Sequence, residues 1–115
     1  MQSWNLLEID APDGTRDPVV LHSSDGESRA VLIRLAPGQE LGQHQVKERA
    51  WVCVVEGRVR VEAAGEAHDA GPGMLFTFEP DETHAVRSDD GARILLLLAP
   101  WPGAGHYRGW QRSAR

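Results

Sequence analysis

The stretch LAPGQELGQHQVKERAWVCVVEG, Leu35 to Gly57, decides how this chain is read. It opens on a Pro37-Gly38 turn and carries His44 at the start of an extended segment. The unbroken apolar run Trp51 to Val55 follows and stops at Glu56-Gly57. A histidine at the mouth of a strand pair, beside Lys47, Glu48 and Arg49, is where a small β-protein would build a site.

Working outward, the flanking pieces have the length and alternation of strands. Upstream, Arg29 to Leu35 sets Val31, Ile33 and Leu35 on the cleaner apolar face, with Ala30, Leu32 and Arg34 on the other. Downstream, Arg58-Val-Arg-Val-Glu62 alternates charged out and valine in, and Gly57 before it reads as a hairpin turn. Ala63-Ala-Gly-Glu66, Gly71-Pro-Gly73 and Asp89-Asp-Gly91 mark further turns. Between them lie extended pieces at Ala67 to Ala70, Met74 to Phe78, His84 to Ser88 and Ala92 to Ala99. The run Ile94 to Leu98 is expected to be buried on both sides. Further upstream, Ser3 to Ile9 and Pro18 to His22 are candidate strands. Twelve glycines and seven prolines cut the chain into these pieces, and no segment sustains a helical period over three turns. Eight to ten short antiparallel strands imply an all-β sandwich or barrel.

At 115 residues the chain has the size of one domain able to bury its own core. A formal net charge of -5 argues against a nucleic-acid backbone as partner, since that needs clustered Lys and Arg. Arg108, Arg112 and Arg115 are too thinly spread to make a patch. The single cysteine, Cys53, rules out an intrachain disulfide and suits a reducing compartment, so a cytoplasmic location is expected. The N-terminal apolar residues are broken by Glu8 and Asp10, unlike a signal peptide. The longest apolar run, Ile94 to Ala99, is too short for a membrane span.

Two motifs now acquire a shared meaning. Gly38, His44 and Gly57 resemble the first motif of the cupin family, and Gly73-Met-Leu-Phe-Thr-Phe-Glu-Pro-Asp-Glu-Thr-His84 resembles the second. Their order and separation, and the strands around them, match a small single-domain cupin over roughly Arg29 to Ala99. The resemblance implies a jelly-roll barrel, and far less about the reaction, because that fold hosts many activities. It also implies a homodimer in which the terminal segments, rich in Trp4, Trp101, Tyr107 and Trp110, pack on the barrel or on a partner subunit.

In the family a metal is held by two histidines and a glutamate from the first motif and one histidine from the second. His44 matches the first of these and His84 the last. The second histidine falls at Val46 and the glutamate at Ala50, neither of which has a donor atom. A divalent transition metal wants three or four N, O or S ligands. Glu48 could supply a substitute oxygen, giving His44, Glu48 and His84; Gln43 or Gln45 could offer an amide oxygen. Val46, Ala50 and Trp51 are expected to line the cavity, Trp51 alternatively packing outside the barrel.

Other residues read more plainly. His22, His68 and His106 fall in turn-rich or edge pieces. Cys53 sits in an apolar run and reads as a small buried hydrophobe. Glu40, Glu79, Asp81 and Glu82 read as loop charges, and Arg34 and Arg49 as surface ion-pair partners. There is no nucleophile elbow and no phosphate loop.

Two functions follow as expectations. The first is a small-molecule-binding cupin with an incomplete metal motif, its ligand in the barrel near His44 and His84. The second is a metal-dependent enzyme of dioxygenase or isomerase type that uses those histidines with Glu48. A metal-free isomerase working by acid-base chemistry is a third, but no tyrosine-histidine pair supports it.

Overall fold

A computed structural model describes residues 1–12 and 18–104. Its nine strands are β1 (Val19–Ser24), β2 (Ser28–Leu35), β3 (Glu40–His44), β4 (Arg49–Gly57), β5 (Val59–Ala63), β6 (Glu66–Ala70), β7 (Leu75–Phe78), β8 (His84–Arg87) and β9 (Ala92–Ala99). They form two antiparallel sheets, ordered β1-β2-β9-β4-β7 and β3-β8-β5-β6, and no helix occurs among the described residues. Alternation puts one face of each sheet on a shared core. Val31, Ile33 and Leu35 of β2 meet Val52 and Val54 of β4, Ile94 and Leu98 of β9, Val59 and Val61 of β5, and Val86 of β8.

Several sequence expectations change. Ser3 to Ile9 is a turn-containing segment rather than a strand. The Arg93 guanidinium donates to the carbonyls of Leu6 and Ile9, and Arg34 to that of Ala11, so the segment's backbone is satisfied by side chains of the larger sheet. His44 ends β3 rather than opening an extended segment, and residues 45–48 form a loop before β4.

Gly57 is no hairpin turn. β4 belongs to the five-stranded sheet and β5 to the four-stranded one, so Gly57 is a corner where the chain changes sheets. The same holds for residues 88–91, between β8 and β9. A true hairpin lies between β5 and β6, where Ala64 and Gly65 both have positive φ (53° and 77°), as a two-residue hairpin turn requires. Nor is Ile94 to Leu98 buried on both sides. Leu97 points to the outer face of its sheet and is 37% exposed.

The two corners meet. The Ser88 hydroxyl donates to the Arg58 carbonyl at 2.7 Å, the Ser88 carbonyl accepts from Gly38 N at 2.8 Å, and Ser88 N donates to the Gln39 carbonyl at 3.1 Å. Both ends of the Leu35–Gly57 stretch are therefore fixed at one closed end of the sandwich. β3 and β4 run from there to the opposite end, and His44 lies at that opposite end.

Candidate functional site

β3 and β8 pair with His44 directly opposite His84, and β5 continues the row with Ala63 opposite His84. A bulge between Leu41 and His44 sets this register. Without the extra residue, the side chain at position 44 would face the other way. The imidazole centroids are 4.3 Å apart, tilted by 60°. From the facing sheet Phe78 stacks on His84, 4.1 Å between centroids and 5° from parallel. Ala63 is small, which leaves open space beside His84.

The tautomers follow from the hydrogen bonds. His44 Nδ1 lies 2.7 Å from the Gly42 carbonyl and His84 Nδ1 lies 3.0 Å from the Glu82 carbonyl. A carbonyl oxygen only accepts, so each Nδ1 carries the proton and each neutral ring keeps its lone pair on Nε2. Neither Nε2 has a hydrogen-bond partner among the described residues. The pair thus presents two acceptors.

His84 is 3% exposed, and burial pushes its pKa below the ordinary 6.5, with a smaller contribution from neighbouring His44. The Glu82 backbone bond and the Glu82 charge work the other way without winning. A histidine with a depressed native pKa binds fewer protons folded than unfolded, so acid destabilises the fold. We expect stability to fall as pH drops below 6.5 towards the native pKa, and the fall to shrink in His84→Gln. Urea midpoints at pH 7.5 and pH 5 measure this; an unchanged pH difference in the variant would show that another group drives it.

A depression of about 490 Å³ beside His84 is lined by Gln43, Glu62, Ala63, Glu66 and Thr83 among others. It shares Ala63 and Glu66 with a smaller one of about 190 Å³ that reaches Val61, Phe76 and Phe78. A third, lined by Leu41, Gly42, Gln43 and His44, adjoins the first at Gln43.

Glu48 is fully buried, but it serves the backbone. Its Oε2 accepts from Gly103 N at 2.7 Å. Gly103 passes so close that a Cβ there would sit 2.6 Å from the Lys47 carbonyl oxygen. The C-terminal segment is therefore strapped across the loop that follows His44. Trp101 packs on the core beneath the Arg29 guanidinium, 4.8 Å from its ring, and its carbonyl accepts from Gly26 N. The same loop is tied to the one preceding His84. Asp81 N donates to the Val46 carbonyl at 2.8 Å, Lys47 pairs with Asp81 at 2.8 Å, and Gln45 Nε2 donates to the Thr83 hydroxyl at 2.7 Å.

His44 and His84 are thus brought together, and Glu48 is not gathered with them. No three His, Cys, Asp or Glu side chains are grouped to hold a metal among the described residues. Ala50 is fully buried between Phe78 and Leu98, its strand neighbours, and Val46 packs against the core. Trp51 lies opposite the buried positions of β4, on the outer sheet face beside Thr77 and Leu97. Cys53 shares that face and is half buried. Arg49 pairs with Glu79 at 2.8 Å. His106, Tyr107, Trp110 and the tail arginines lie outside the described residues. Sequence reading missed Phe78, Ala63 and Gly103; only the adjacency of Ala63 and Ala64 hinted at open space.

The family model for the cupin domain matches residues 31–99, more than half of the chain. The chain belongs to the cupin family. Among solved structures, an RmlC-like cupin from Desulfovibrio desulfuricans is 27% identical, with a TM-score of 0.76 over 87% of this chain and 97% of that one. The protein TT1209 from Thermus thermophilus is 24% identical, with a TM-score of 0.75 over 87% and 98%. The DMSP lyase DddQ from Ruegeria pomeroyi is 18% identical, with a TM-score of 0.69 over 76% of this chain and 49% of that one. No helix among the described residues is long and apolar enough to cross a membrane.

Proposed function

We propose that this cupin binds a small molecule beside His44 and His84 without a tightly held metal. One observation carries the reading: two imidazoles stand together with their Nε2 lone pairs available, and no third donor is grouped with them among the described residues. Two ligands fall short of the three or four that hold a divalent transition metal. The donor set does not fit a tight site. Neutral histidines at a partly apolar cavity can orient a ligand, or move a proton on one, without such an ion.

The alternative is a metal-dependent enzyme using His44, His84 and Glu48. It draws support from the Nδ1 bonds to backbone carbonyls, an arrangement that orients metal-binding histidines elsewhere. It requires the Glu48 carboxylate, anchored to Gly103 N through Oε2, to reach two rings with which it is not grouped. The lyase resemblance adds an enzyme on this fold and no shared chemistry.

Elemental analysis of protein purified without a chelating tag separates the two. We expect far less than one equivalent of Mn, Fe, Ni, Cu or Zn per chain, and no rise in Tm when these metals are added. One bound equivalent with a raised Tm would establish the alternative, because a metal that binds the native state stabilises it.

A further inference from the structure

Resting on the small-molecule reading above, we infer that the ligand is a hydrogen-bond donor, uncharged or cationic, and that the site discriminates against carboxylates and phosphates. Three observations converge. The floor offers acceptors: with both Nδ1–H groups committed to backbone carbonyls, each neutral ring can only accept through Nε2.

The walls carry the same sign. Glu62 and Glu66 line the larger depression, and Glu66 and Glu82 the smaller. Among the described residues, neither depression is lined by a lysine or arginine. The nearby cations are paired with carboxylates: Lys47 with Asp81, Arg49 with Glu79, and Arg60 with Asp69 and with Glu62 of the wall. That leaves Glu66 and Glu82 as the wall carboxylates without an arginine or lysine partner among the described residues. His68, 3.6 Å from Glu66 and largely exposed, also lines the smaller depression.

The apolar part of the cavity sets the ligand's other half. Val61, Ala63 and Phe76 give the smaller depression a nonpolar wall, and Phe78, which also lines it, stacks on His84. A compact body with a hydroxyl or amine donor at one end would meet His84 from the larger depression and rest its apolar part in the smaller one, which shares Ala63 with it. An anion entering instead would lose hydration and face carboxylates with no lysine or arginine lining either depression. Leaving such a charge unpaired is the costlier outcome.

The test uses the full chain, ¹⁵N-labelled, with six probes at pH 7.5: catechol, a neutral hexose and an aliphatic diamine, against benzoate, citrate and inorganic phosphate. The expected result is saturable shifts at His84, Thr83 and Ala63 with at least one donor probe at millimolar concentration, and none with the three anions. Shifts at these residues with an anion would overturn the assigned ligand class while leaving small-molecule binding intact. Six silent probes would overturn the class and count against the binding reading with it. Glu66→Lys provides the converse check. It should admit benzoate, and continued silence with the cation in place would contradict the electrostatic part of the inference.

Discussion

Gly57→Ala should be the most damaging glycine-to-alanine change among the described residues, costing roughly 2–5 kcal/mol. Two penalties combine there. Gly57 has φ +81°, a conformation that costs an L-residue about 1–2 kcal/mol. A Cβ at this corner would also collide with the carbonyl oxygen of Gly91 and lie 2.8 Å from Ala92 Cα. These are backbone atoms of the second corner and cannot rotate away, and overpacking of that kind typically costs about 1–3 kcal/mol. A domain holds only about 5–15 kcal/mol in total, so much of the stability goes. Gly65→Ala is the control. Its φ is +77° with nothing within 4 Å of the added Cβ, so it should incur the conformational penalty alone. Equal losses in the two variants, read as urea midpoints, would show that the corners do not press on each other.

The second large effect is expected at Glu48. Glu48→Ala should lower stability by about 1.5–3 kcal/mol, the range for hydrogen bonds involving a charged group. The counter-effect is real: burying a carboxylate costs solvation, and removing one can stabilise a protein. The bond should win here because deleting it leaves the buried Gly103 N–H without its acceptor and opens a void under the C-terminal strap. Glu48→Gln keeps an oxygen in place and should recover most of the loss. Thermal melts of the three proteins decide this. An alanine variant as stable as the parent would mean that the carboxylate is a solvation burden rather than an anchor.

The fold was largely legible because turn chemistry and alternation are local. Gly38, Gly57, Gly73 and Asp89-Asp90-Gly91 divide the strands nearly where the structure does, and Val59 and Val61 face the core as their spacing implies. Sheet membership was not local. Gly57 looks like a hairpin glycine in the sequence, and only the pairing of β4 with β9 and of β5 with β8 makes it a corner. At the site, the sequence identified both histidines and the two positions without donors. It could not place Glu48. A carboxylate four residues after a histidine is a plausible ligand until the N–H of Gly103, 55 positions away, is seen to donate to it. Phe78 behind His84 was equally out of reach, since it depends on the separation of the two sheets.

The claim that matters most is that His44 and His84 form an acceptor pair and not a metal centre. Long-range ¹H–¹⁵N spectra of the imidazoles, taken before and after one equivalent of Zn²⁺, test it directly. The expected result is an Nδ1-protonated tautomer for both rings, with Nε2 resonances that stay in place when the ion is added. Loss of the Nε2 lone-pair signature from both rings together at one equivalent would contradict it.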